Sequence, residues 1–532
     1  MRTLRTSADV SAPVRRTVSR RLGLIAVCTL LFLTFLDNTI VSVALGDIQS
    51  RLSAGVQSLQ WVVNAYALTF ASAMLLAGAL GDKIGQRGVM FAGAGVFCAG
   101  SVICAVAPDT TVLVAGRAVM GLGAAASEPG TLAMIRYMYP VRGERARATG
   151  VWAAVSGLAL ALGPVIGGII VGLSDWRWIF WFNLFFGVVA VSIAAVVVPP
   201  VPSTRGRRID LVGGLLGAGS LALLVFGVLR GEVDGFGAWH VVVLLGACVV
   251  LAFVFLWWQF HASEPLIPPR FLRTGAFVVP NIVAFATYFG TFAVFFFAAL
   301  YLNIVVGYGG LRIALQFIPM MTVMIVASLL TGRWIARTGA RRPVAFGCLV
   351  FAIGLLLSDA TLTRHPSYVP LAASLALTGL GIGITVVPTA FEAMSAVPVD
   401  RAGMASSAVN TSREIGAVTG TAILGAIVNA GLVSHATTAL DALGWSNLKD
   451  FVVSAILNGG ASLGGPLSQA SPEIQKLVDT LYDAFGQGLH TALVLSASLV
   501  FLAGVLAVAA RGRRPAEQET EETALGHLHL PS

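Results

Sequence analysis

A few charged residues stand deep inside long apolar runs of this 532-residue sequence: Asp37, Arg117, Glu128, Arg413 and Glu414. Asp37 lies within LFLTFLDNTIVSVAL, residues 31–45, and Arg117 within GRAVMGLGAAA, residues 116–126. Burying an ionised side chain at such depth in a membrane is expensive. An acid and an arginine on neighbouring helices offset part of that cost for each other. Counted along their helices, Asp37 lies about 9 residues, roughly 13 Å, and Arg117 about 6 residues, roughly 9 Å, below the same membrane face. A carboxylate that is paired in one state and released in another binds protons differently in the two. That is proton-coupling chemistry; a static structural pair is the alternative.

The other acids are read in the same way. Glu128 precedes Pro129 in ASEPGTLAMI, where the missing backbone donor of proline loosens the helix. There it can take a proton or meet a cationic ligand, or pair with Arg136 or Arg147. Arg413 and Glu414 are adjacent, so they point about 100° apart on a helix and need not pair with each other. Either can face a cavity, or Arg413 can bind an acid on a neighbouring helix. Glu392 reads as a loop-side acid. Asp37, Tyr66, Asn303, Arg413 and Glu414 are the candidate cavity lining, since aromatic faces and acids suit lipophilic cations. Packing against other helices or lipid is the alternative for the aromatic ones.

The apolar context of these residues is unambiguous. The sequence is 57% hydrophobic and 11% charged, where a soluble protein carries about a quarter charged residues. About 20 apolar residues cross a bilayer. Such runs occur at roughly 22–46, 59–80, 89–107, 111–136, 147–172, 177–198, 210–230, 238–260, 275–303, 312–331, 343–362, 369–393, 403–430 and 488–510. The chain is therefore expected to be an all-α polytopic membrane protein with 14 transmembrane helices. The first run is full-length and no A-x-A-like site follows it, so it is expected to remain as a permanent helix. The net charge of +9 invites a nucleic-acid reading, but the basic residues sit in short loops and form no patch. Five cysteines fall in apolar segments without metal-ligand spacing, so no metal site is expected.

With the N-terminus in the cytoplasm, about 24 of the 34 basic residues fall on the cytoplasmic side. An odd number of spans would break this bias, so both termini are expected inside. The expected organisation is a cytoplasmic arm at 1–21, six helices at 22–198 and a Pro- and Arg-rich linker at 199–209. Two extra helices follow at 210–260, then five helices at 261–430, an external loop at 431–487, a last helix at 488–510 and a cytoplasmic tail at 511–532. Within the loop, the amphipathic piece 473–485 is expected to lie on the membrane or cap the outer face, or to be a tolerated insertion.

Two loops repeat. GALGDKIGQRG at 78–88 aligns with GRWIARTGARR at 332–342, matching Gly78 with Gly332, Gly85 with Gly339 and Arg87 with Arg341. The second copy has Ala336 where the first has Asp82. Matching topology around the two loops indicates two related halves.

The first of these loops resembles the motif between helices 2 and 3 of the major facilitator superfamily. GRAVMGLGAAA resembles its helix-4 motif, GLALALGPVIGG at 157–168 its helix-5 exporter motif, and LDNTIVSVAL at 36–45 the helix-1 motif of the fourteen-helix drug:proton antiporters of the EmrB/QacA type. WRWIFWFN at 176–183 and RAGMASSAVNTSREIG at 401–416 are similar to that subgroup too. The sequence departs from the pattern at Gly46, where the motif usually ends in Pro, and at Glu128 and Glu414, where the family more often has uncharged residues. The resemblance implies two six-helix bundles plus two extra central helices. It implies a proton-driven exporter of lipophilic, cationic or amphiphilic drug-like compounds, needing a proton gradient but no cofactor. It places proton coupling on Arg117 and either coupling or substrate recognition on Asp37; Glu128 and Glu414, read from their own positions in the apolar runs, are further candidates for proton coupling. Gly78, Asp82, Gly85 and Arg87 become a conformational latch, in which Asp82 sits at a helix N-terminus or pairs with an arginine. Gly163, Pro164, Gly167 and Gly168 become a seal against leak, or a helix-packing surface.

The expected setting is a bacterial inner membrane, with a monomer working on protons and small molecules and no nucleic acid. A narrow exporter of one metabolite or antibiotic is the rival reading. An enzyme or ATP-driven pump is disfavoured, because no HExxH, GxSxG or P-loop occurs.

Overall fold

The computed structural model of the protein describes residues 13–200, 210–442 and 472–510. Most of the expected linker, the middle of the loop at 443–471, the start of the N-terminal arm and the tail from 511 lie outside the described residues. No strand occurs among the described residues, and 14 helices are long and apolar enough to cross a membrane. In chain order they are α1 (Pro13–Leu52), α2 (Val56–Ile84), α3 (Gln86–Ala105), α4 (Thr110–Met138), α5 (Arg142–Leu173), α6 (Arg177–Val197), α7 (Leu211–Asp234) and α8 (Trp239–His261). There follow α9 (Gly275–Ile304), α10 (Gly310–Thr338), α11 (Arg341–Thr361), α12 (Tyr368–Ser395), α13 (Ala402–Ala442) and α14 (Pro472–Ala509).

Two features differ from expectation. The amphipathic piece 473–485 is no separate surface helix; it forms the first turns of α14 and runs unbroken into the last span. It is tied down by charge: Arg364 donates to Asp479 Oδ1 at 2.7 Å and to Asp483 Oδ1 at 2.8 Å. Burial works against the Arg364 charge, but these two bonds outweigh it and hold the guanidinium pKa above its ordinary value. Further along α14, His490 Nδ1 lies 2.5 Å from Asp359 Oδ2. Secondly, α9 contains a π-helical stretch at Ala293–Ala298 that nothing in its sequence announces.

Contacts divide the chain into two compact units. The first comprises residues 1–256 with 321–337 and 399–411; the second comprises 257–320, 338–398 and 412–532. The repeated loops share a backbone feature. Gly85 has φ +110° and Gly339 φ +79°, a region that glycine enters without steric cost. Both reverse the chain between two spans.

Helices in lipid gain little by burying apolar side chains, so close backbone packing decides which of them associate. In the first unit α3 and α4 meet through glycines at seven-residue spacing. Gly93 and Gly100 on α3 face Gly116 and Gly123 on α4, each at a place where a Cβ would overlap the opposite helix. A Cβ on Gly93 would lie 2.6 Å from the Ser127 backbone nitrogen, whereas one on Gly95 would meet nothing within 4 Å. Gly93→Ala is therefore expected to destabilise the protein by about 1–3 kcal/mol through overpacking. Gly95→Ala is expected to be neutral or slightly stabilising, because alanine is the better helix former. Thermal unfolding of the two variants in one detergent checks the contrast.

Candidate functional site

Asp37 is fully buried, at 0% exposure, in the middle of α1. Three other helices of the first unit converge on it. From α4, Arg117 donates through Nη1 to Asp37 Oδ2. From α6, Asn183 donates through Nδ2 to Asp37 Oδ1 at 2.7 Å. From α2, the Tyr66 ring lies beneath the Arg117 guanidinium at 4.4 Å, and the Val62 carbonyl accepts from Arg117 Nε at 2.9 Å. Both carboxylate oxygens thus receive a donor, and the arginine is held by an acid, a carbonyl and an aromatic face. Such multiple engagement is what allows an ion pair to exist out of water.

The local sequence explains how these groups meet. The helix-4 glycines do two separate jobs. Gly116 and Gly123 seat α4 on α3, while Gly121 lets α4 approach the Tyr66 backbone on α2. That approach is reinforced by Thr69 Oγ1, which donates to the Ala118 carbonyl at 2.9 Å. Asp109 caps the start of α4 by accepting from Val112 N at 2.9 Å. For α6, Ser101 Oγ on α3 donates to the Phe180 carbonyl at 2.7 Å, one turn before Asn183. Asp47 on α1 accepts from the Trp176 backbone nitrogen at 3.0 Å and so fixes where α6 begins.

The helix-5 motif lies against the same turn of α1. Gly163 and Gly167 are buried there, and a Cβ on them would meet Thr39 and Ile40, two and three residues beyond Asp37. Thr39 Oγ1 donates to the Leu160 carbonyl at 3.2 Å. Pro164 and Gly168, each about 100° further round α5, are exposed. Half of the motif therefore packs and half does not.

Asp82, near the end of α2, caps a helix. Its oxygens accept from the Gly403 and Met404 backbone nitrogens at 2.7 and 2.8 Å, at the start of α13, where the helix dipole favours an anion. Gln86 donates to the same carboxylate at 2.7 Å. The helix N-terminus expected for this acid is observed. Arg87 goes elsewhere, donating to the Ala195 carbonyl at the end of α6 at 2.5 Å. A Cβ on Gly78 would run into Ser407 and Gly403, so that position requires glycine. In the second copy of the repeat, Gly332 presses against the Ala146 carbonyl at the start of α5.

The remaining candidates are dispersed. Tyr66 is 1% exposed beneath Arg117, so it belongs to the ion-pair site and not to an open cavity wall. Glu128 is buried on α4, where Thr131 Oγ1 donates to its carbonyl at 2.7 Å. In the second unit Arg413 is buried, with its guanidinium 5.4 Å from the Tyr288 ring centroid and 3.5 Å from the Val386 carbonyl. Glu414 is partly exposed. Asn303 closes a turn after α9 by donating to the Tyr308 carbonyl at 3.1 Å. Tyr308 helps to line a cavity of about 580 Å³ together with Arg312, Arg364, His365 and Tyr482.

The described residues contain no His, Cys, Asp and Glu grouping of metal-site type. What converges instead is an acid, an arginine and an amide in the interior of a helical membrane unit. Residues 27–421 match the family model of the Major Facilitator Superfamily. The chain belongs to that superfamily of transporters. It is 32% identical over 490 residues to the multidrug resistance protein Stp of Mycobacterium tuberculosis, covering 91% of each chain. It is 31% identical over 434 residues to the methylenomycin A resistance protein of Streptomyces coelicolor, covering 81% of this chain and 91% of that one. Its fold is similar to the crystal structure of the human organic anion transporter MFSD10 (TETRAN), with TM-score 0.61 at 13% identity over 93% of this chain and all of that one. The protein is thus a multi-pass transporter and not an enzyme.

Asn183 is the member of the site that residue-by-residue reading of the sequence missed. It ends the quoted stretch WRWIFWFN, and a lone amide in an aromatic run was the available signal. Removing one partner of a buried pair strands the other, at about 3–5 kcal/mol, while removing both is far milder. Asp37→Leu and Arg117→Leu are each expected to lower thermal stability substantially. The double variant is expected to recover much of the loss, and a double-mutant cycle of unfolding temperatures in detergent measures it.

Proposed function

We propose that this transporter is a drug exporter that exchanges protons for lipophilic, cationic or amphiphilic compounds by alternating access in a bacterial inner membrane. The observation that carries the reading is the Asp37 carboxylate, fully buried yet bonded by Arg117 and Asn183 from two other helices. A charge kept at that depth needs a reason, and intramembrane acids mark ion and substrate pathways. Protonation would weaken the hold of Arg117 and free the helices to move against each other.

Beside Asp37, the same helix carries an exposed polar strip, Asn38 and Ser42, four residues apart. Polar groups in spans face interior or water-filled space more readily than lipid. This strip is the proposed contact for substrate. Glu128 and Glu414 remain the further candidates for carrying protons. Asp82 serves as the latch: its bonds to the start of α13 hold one state and must break in the other. Gly163 and Gly167 keep α5 tight against the turn of α1 that follows Asp37, which suits a seal against leak. The expected working unit is a single chain with both termini in the cytoplasm, driven by the proton gradient without a cofactor. The name of the Stp relative, a multidrug resistance protein, supports a broad substrate range. The methylenomycin relative, named for resistance to one antibiotic, favours the rival reading of a narrow exporter.

Energised everted vesicles containing the protein should take up ethidium. Uptake should stop when the proton gradient is collapsed and fall near background in Asp37→Asn. Coupled transport that survives in Asp37→Asn would move the coupling role to Glu128 or Glu414. A folded, inserted protein that moves no organic cation but does move one antibiotic would establish the narrow reading.

A further inference from the structure

The amide of Asn183 is engaged at one end only. Its Nδ2 donates to Asp37 Oδ1 at 2.7 Å, while its Oδ1 is buried without a hydrogen-bond partner. The residue is 0% exposed in this state. An unpaired buried acceptor is costly, and native structures keep few of them without cause. The orientation itself is dictated by charge, since turning Oδ1 toward an ionised carboxylate would oppose two sets of lone pairs.

The partners of Asp37 differ in what they can do once it takes a proton. Arg117 is a donor only, and its guanidinium stays charged. It can hold the carboxylate but cannot accept from a carboxylic acid. An asparagine side chain carries both functions on one planar group. A half-turn about its Cβ–Cγ bond exchanges Nδ2 for Oδ1 with almost no change of shape. Oδ2 of Asp37 faces Arg117, so Oδ1 is the oxygen left to bind the proton.

We propose that Asn183 is the proton-responsive positioning residue of the Asp37 site. It donates to the ionised carboxylate, then turns its amide and accepts from the protonated acid. In the step, taken in a state whose helices have parted enough to admit water, a hydronium ion delivers its proton to Asp37 Oδ1, an O–H bond forms, and water leaves. Arg117 keeps its charge. The new O–H donates to Asn183 Oδ1, while Nδ2 takes the place that Oδ1 had. Asp37 is thereby hydrogen-bonded in both protonation states, and its interaction with Arg117 is the one that changes. The functional significance rests on the proton-coupling reading of Asp37; the exchange of partners is a separate, measurable event.

Difference infrared spectroscopy on the full chain reconstituted in lipid and titrated with acid tests it. In the wild type a carboxylic-acid band should grow as a side-chain amide C=O band moves to lower frequency, because Oδ1 gains a donor. Both changes should vanish in Asp37→Asn. In Asn183→Leu the amide change should be absent, and the acid band should move to higher frequency for want of an acceptor. Asn183→Ser, whose hydroxyl also donates and accepts, should bring the acid band back toward its wild-type position.

An amide band that stays still while Asp37 titrates would overturn the proposal. So would the absence of any Asp37-dependent acid band over the range in which the protein stays folded. If Asn183→Leu fails to fold, the comparison of wild type with Asp37→Asn still decides the matter. Proton-driven transport that survives in Asp37→Asn would defeat the coupling reading, yet the infrared result would still decide whether Asn183 exchanges partners.

Discussion

An ionised carboxylate in a low-dielectric interior persists only while donors surround it. Much of the first unit can be understood as the means of bringing donors to Asp37. The chain has to deliver an arginine from α4 and an amide from α6 to one point on α1, and support the arginine from α2. No single helix can do this. Adjacent positions on a helix diverge by about 100°, so a carboxylate is enclosed by neighbouring helices and not by its own.

The enclosing helices are drawn together by missing side chains. Glycine costs about 1 kcal/mol relative to alanine inside a helix. The chain accepts that cost at Gly93, Gly100, Gly116, Gly121 and Gly123 because each is a place where two backbones touch. The same reasoning applies to Gly163 and Gly167, which set α5 against α1 just past the acid. Close packing and the buried charge are therefore one design. The glycines let the helices close on the acid, and the arginine and amide replace the hydration that water would have supplied.

The repeat shows how related loops can differ in strength. Gly85 and Gly339 turn the chain alike, and Gly78 and Gly332 both sit where only a hydrogen fits. Yet Asp82 holds the start of α13 by two backbone bonds, and its counterpart Ala336 has no group with which to hold α5. The start of α5, after Val141, has no side-chain cap. One of the two equivalent contacts is thus reinforced by charge against a helix N-terminus, and the other has no side-chain cap there.

The sequence by itself determined the membrane class, the helix count and the pair Asp37–Arg117. Hydropathy is additive along the chain, and a charge in an apolar run stands out wherever its partners lie. It did not disclose Asn183, because an uncharged amide in an aromatic run has no local cost until its neighbours are known. Nor did it show that Tyr66 supports an arginine instead of facing a cavity, or that the loop piece 473–485 continues into α14. It left open whether Asp82 meets a helix end or an arginine. These were decided by tertiary structure, for one physical reason. Hydrogen bonds and aromatic contacts across 80 or 146 residues, as from Asp37 to Arg117 and to Asn183, depend on how helices are rotated and spaced, and close packing fixes both only when the whole unit assembles.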